Sequence, residues 1–96
     1  MKVIWSEEAL ISYEKIVVFI LEHWNVGIAL EFEKITNQTI DRIKSNHRLC
    51  PSIKGRSVRK CIIHKNVSLL YSIKDDILTI VAFVDNRSSQ SLKKLQ

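Results

Sequence analysis

The 96-residue sequence predicts a two-layer α+β domain in the order β-α-α-β-β-β, a helical hairpin packed on a mostly antiparallel sheet. Three observations predict it. Between Ala9 and Ile43, apolar residues recur at helical spacing in two runs separated by Asn25-Val26-Gly27. Between Arg59 and Val84, three runs rich in β-branched and apolar residues follow one another through very short connections, the signature of a meander. Lys2-Val3-Ile4-Trp5 is a further β-prone run, too short to be stable alone, and must join that meander at an edge or in its middle.

Each element has a local cause. Ser6 stands where a strand must end, with Glu7 and Glu8 behind it; a serine oxygen caps free N–H groups and the acids oppose the helix dipole. Ala9, Leu10, Tyr13, Ile16, Val17, Ile20, Leu21 and Trp24 then define one buried face, while Glu14, Lys15 and Glu22 fall largely on the other. Val18 and Phe19 widen the apolar arc toward a second contact surface. His23 sits at the helix C-terminus, where a cationic ring is favoured.

The second helix is expected from Ile28 to Ser45, with Ala29 or Leu30, Phe32, Ile35, Thr36, Thr39, Ile40 and Ile43 as its apolar set. So short a link makes the two helices an antiparallel pair. Asn46 to Gly55 reads as a loop, punctuated by Pro51 and made basic by His47, Arg48, Lys54 and the adjacent Arg56. Arg59 to His64, Val67 to Ile73 and Ile77 to Val84 are the meander, turning at Lys65-Asn66 and Lys74-Asp75-Asp76. Strict alternation groups Val67, Leu69, Tyr71 and Ile73, and in the last strand sets Ile77, Thr79, Val81, Phe83 and Asp85 against Leu78, Ile80, Ala82 and Val84. One sheet face is apolar for the helices; the other is mixed and available to a partner.

Residues 1–96 suffice for a single domain. A net charge of +5 points to an anionic partner such as nucleic acid, an acidic protein segment or a membrane surface. No apolar run is long enough to span a membrane, and the N-terminus does not read as a signal peptide, so a cytoplasmic location is expected. The two cysteines, Cys50 and Cys61, read as reduced thiols, with Cys61 buried on its strand. With His47 and His64 they form no standard zinc spacing, and neither metal nor cofactor is expected.

The opening Val3-Ile4-Trp5-Ser6-Glu7-Glu8-Ala9-Leu10, the helical hairpin and the loop ending Pro51-Ser52-Ile53-Lys54-Gly55 resemble the RelE/ParE superfamily of bacterial toxins. So do the strand ending at Tyr71, the Lys74-Asp75-Asp76 turn and the closing Phe83-Val84-Asp85-Asn86-Arg87, and the resemblance covers essentially the whole chain. It implies a toxin of a type II toxin–antitoxin module, causing growth arrest and held inactive by a cognate antitoxin. RelE-like members cut messenger RNA on the ribosome without metal, using cations and a tyrosine, histidine or glutamate. ParE-like members bind and inhibit DNA gyrase.

For a nuclease the candidates are Arg59, Lys60, His64 and Arg87, the last matching the arginine that RelE-like toxins place after the final strand. Alternation sends Arg59 and Lys60 to opposite faces. His64 stands where its strand turns, and Glu33 lies on a helix. Residues 88–96, which either pack back through Leu92 and Leu95 or form a loose tail, contain no tyrosine or histidine. The expectation is therefore a ParE-like inhibitor of gyrase. The alternatives are a ribosome-dependent endonuclease and a member that retains only antitoxin binding.

Overall fold

The computed structural model describes residues 1–85. Arg87 and the tail 88–96 lie outside them. The elements are β1 (Lys2–Trp5), α1 (Glu7–His23), α2 (Val26–Ser45), β2 (Arg59–His64), β3 (Val67–Lys74) and β4 (Ile77–Asp85). They form two helices on a four-stranded sheet of order β1-β4-β3-β2, in which β1 runs parallel to β4 and the other pairings are antiparallel. The predicted architecture holds, and β1 takes the edge.

Serines fix the junction of the two layers. The Ser6 hydroxyl accepts from the Ala9 N–H (3.0 Å), capping α1, and donates to the Val81 carbonyl (2.7 Å). Ser12 accepts from the Phe83 N–H at 2.9 Å. β1 pairs β4 only as far as Ile80, so beyond it the edge of β4 would leave backbone groups unpartnered in a part-buried setting. The side chains of Ser6, which caps α1, and of Ser12 within it satisfy them.

Two boundaries differ from expectation. α2 begins at Val26, because Asn25 caps it by accepting from the Ile28 N–H (3.0 Å); asparagine acts here as an N-cap rather than as a helix stop. In the sheet, the register shifts between Leu70 and Tyr71, so that Tyr71 faces Ile80 while Leu70 faces Ala82. Val81 is the extra residue. The bulge exchanges the two sides of β4, putting Leu78 and Ile80 with Phe83 on the helix-facing side. A strict period of two could not anticipate it.

The core joins Ile16 and Ile20 of α1 and Phe32, Thr36, Ile40 and Ile43 of α2 to Cys61, Leu69, Tyr71, Leu78, Ile80 and Phe83 of the sheet. Its aromatic centre is Tyr13, with ring centroids 5.3 Å from Trp5, 5.2 Å from Phe32 and 5.1 Å from Phe83. Burial, and secondarily the Glu33 carboxylate, push the Tyr13 hydroxyl above its ordinary pKa. The β3–β4 turn holds Asp75 and Asp76 at φ 53° and 62°, the paired left-handed conformation of a tight hairpin turn.

Candidate functional site

The loop between α2 and β2 is more ordered than its composition suggests. Ser52 bridges Arg59, the Lys60 N–H donates to the Pro51 carbonyl (3.0 Å), and the Ile53 N–H donates to the Val58 carbonyl (2.8 Å). These contacts fold residues 50–61 into an irregular hairpin along the outer edge of β2, turning at Gly55 (φ 78°). Continued one step, that register sets Cys50 opposite Cys61. The two are joined in a disulfide, with Cα atoms 5.2 Å apart, which corrects the expectation of free thiols. Cysteine counting judged the chain by its sufficient core; the pairing depends on a loop folding back, which no spacing rule contains.

Tyr71 anchors the same loop from beneath. Its ring is buried in the helix-facing layer, and its hydroxyl donates to the His47 carbonyl (2.9 Å) and accepts, at 3.5 Å, from the Cys50 N–H. Arg59 lies in the same row of the sheet, opposite Tyr71. Its Nη1 donates to the Cys50 carbonyl at 2.7 Å. Between loop and sheet a cleft of about 370 Å³ opens, lined by His47, Arg48, Ser52, Arg56, Ser57, Val58, Arg59, Tyr71, Ser72 and Ile73.

Of the residues proposed from sequence, the three that are described are dispersed. Arg59 turns toward the helix layer and Lys60 toward the opposite face, both half-buried. His64 is exposed at the far end of β2, five residues from Arg59, a separation of roughly 15 Å along a strand. Arg59 and His64 are therefore not brought together. On the face turned from the helices, the central rows are Ile62-Ser68-Val84, Lys60-Leu70-Ala82 and Ser72-Thr79-Ile4. Lys60 is the charged residue there, and these rows contain no histidine, tyrosine or acid; Lys2 and Lys74 stand in the terminal row beside Ile77. What sequence reading missed was the cleft behind Arg59. The available signal was the charge pattern: no Asp or Glu lies between Asp41 and Asp75.

A second surface is apolar. Leu10, Ile11, Val18 and Leu21 are exposed on α1 and share an arc of about 100° on its outer side. A shallow groove runs along Ile11, Val18 and Phe19, with Glu14, Lys15 and Glu22 at its sides. Trp24, 61% exposed, and Val26 extend the apolar character to the hairpin tip. Among the described residues no group of three or more His, Cys, Asp or Glu is placed to hold a metal ion, and no helix is long and apolar enough to cross a membrane.

The sequence profile of the ParE toxin of the type II toxin–antitoxin system parDE matches residues 3–90. The chain belongs to the ParE toxin family. A comparison with curated protein sequences gives no match. Solved structures share the fold of this ParE-family chain at low identity. A chain of the chromosomal ParDE toxin–antitoxin system from P. aeruginosa is 14% identical with a TM-score of 0.75, covering 88% of this chain and 95% of that one. The YoeB dimer from Staphylococcus aureus is 14% identical with a TM-score of 0.64, covering 88% and 94%. YafQ from E. coli is 9% identical with a TM-score of 0.60, covering 92% and 96%. As a ParE family member, the chain is a type II toxin of the RelE/ParE superfamily, as its sequence pattern implied.

Proposed function

We propose that this ParE-family toxin arrests growth by inhibiting DNA gyrase through protein–protein contact and is neutralised by a cognate antitoxin. One observation carries the reading. Among the described residues, the sheet face turned from the helices, where the superfamily resemblance would have a nuclease set out its cations, offers Lys60 in its central rows and no acid–base partner there. Cleavage by 2′-hydroxyl attack needs a base, a stabiliser for the charged phosphorane and an acid. Surface contact with a target needs none of these.

The apolar outer side of α1 supports the antitoxin half of the proposal. Four large apolar side chains on one exposed arc suit the apolar face of a partner helix. The solved ParDE system and the S. aureus YoeB–YefM heterotetramer are toxins of this fold described together with antitoxins.

The test is induction of the chain alone in bacteria, with pulse-labelling of DNA and protein, alongside a supercoiling assay with purified gyrase. Thymidine incorporation is expected to fall first, and supercoiling to be lost in vitro. Prompt loss of amino-acid incorporation with gyrase untouched would transfer the target to the ribosome. Arg59, Lys60, His64 and Arg87 would then be the residues to substitute in a messenger-cleavage assay.

A further inference from the structure

The charge of this molecule is segregated. Between Asp41 and Asp75 there are nine of the 15 Lys and Arg and not one acid, while the remainder holds six cations and all ten acids. The fold gathers much of the basic interval at one edge. β2 closes the sheet on the side opposite β1, and the loop carrying His47, Arg48 and Arg56 folds along it. The cleft lies there. The ion pair among the described residues, Met1 with Asp76, does not involve the cleft cations.

A solvated basic loop would not need the anchoring this one has. The disulfide, the Tyr71 hydroxyl and the Arg59–Cys50 bond together hold the cleft wall against the sheet. Arg59 spends one N–H on the Cys50 carbonyl, and a guanidinium has five. Arg48 and Arg56 are exposed, and among the described residues neither guanidinium has a hydrogen-bond or ion-pair partner. Ser52 and Ser57 line the cleft beside them. One guanidinium held in place, two more beside it and neutral donors nearby are the chemistry that grips phosphate oxygens.

We infer that this cleft binds the phosphodiester backbone of a nucleic acid, independently of base sequence. Its character separates it from the apolar side of α1. Val58 and Ile73 are the aliphatic residues lining it, so a peptide would find little to bury its apolar side chains against. The inference does not depend on gyrase being the target, since it concerns a different surface and a binding rather than an inhibition.

The test measures anisotropy of labelled duplex DNA and of single-stranded RNA, each about 20 nucleotides long, titrated with the oxidised full chain over a series of salt concentrations. Binding is expected at low salt and should weaken as salt rises. Replacing Arg48→Ala with Arg56→Ala should weaken it tenfold or more and reduce the log–log salt slope by about two. Replacing Lys2→Ala with Lys34→Ala removes the same charge outside the cleft and should leave binding nearly unchanged. Stronger binding to the duplex identifies DNA as the source of the backbone, and stronger binding to the single strand identifies RNA. Equal loss in both double variants would reduce the effect to net charge and overturn the proposal. Absence of binding at low salt, or competition by polyglutamate as effective as by nucleic acid, would overturn it too.

Discussion

Tyr71 shows how one side chain serves two layers. Its ring fills the core between sheet and helices, while its hydroxyl holds the backbone of His47 and Cys50 in the neighbouring loop. Phenylalanine would keep the ring and lose the hydroxyl. Tyr71→Phe should cost about 1–2 kcal/mol, since the two backbone groups lose a part-buried partner, and thermal melting should move down by roughly 4–8 °C per kcal/mol. An unchanged midpoint would mean that the loop is held without the hydroxyl. The sequence placed Tyr71 on the core side of its strand correctly by alternation. It could not show that the phenol reaches a loop 24 residues earlier in the chain.

Among the elements, the hairpin of residues 50–61 is the one whose stability rests on a covalent tie. The disulfide closes a loop of 11 residues' separation, and cross-linking a loop of that order stabilises by roughly 2–3 kcal/mol through the unfolded chain. Cys50→Ser with Cys61→Ser, or reduction by a dithiol, should lower the melting temperature while keeping the far-ultraviolet spectrum of the fold. The reason is that the helices and β1, β3 and β4 do not depend on the tie. A thiol titration before reduction should find none free, and two free thiols in unreduced protein would contradict the structure. The same scale shows where local signals suffice and where they fail. The Ser6 cap of α1 and the turn at Asp75 and Asp76 act within a few residues, and both were legible. The bulge at Val81 answers the alignment of three strands and α1, and it was not.

For the whole molecule, Tyr13 is the point where β1, α1, α2 and β4 meet through aromatic contacts. Its hydroxyl is held protonated above the ordinary value of 10.0, by burial first and by Glu33 second. The folded state therefore keeps this proton at a pH where the unfolded chain has released it. Stability contributed by the neutral phenol is complete below pH 10.0 and is lost as pH climbs through the folded value. Comparing denaturant midpoints at about pH 9 and about pH 11 should show a steeper alkaline loss in the natural chain than in Tyr13→Phe. Parallel curves would remove Tyr13 as the source. The segregation of charge belongs to this scale as well. A net charge of +5 names an anionic partner only in general, whereas its concentration along the β2 edge gives the partner a place to bind.

By itself the sequence determined the order of elements, the helix start at Ser6, the packing of a helical hairpin on one sheet face, and membership of the toxin superfamily. The first three are written in periodicity or short-range chemistry, with spacings of two to four residues; membership was read from a resemblance that runs the length of the chain. Tertiary structure alone decided that β1 pairs parallel at the β4 edge, that Phe83 turns inward past a bulge, and that Cys50 meets Cys61. It also decided that Arg59 turns to a cleft with Arg48 and Arg56 instead of joining His64. The common reason is register: the relative sliding of segments far apart in sequence is fixed by the joint packing of every layer, and no window of neighbouring residues contains it.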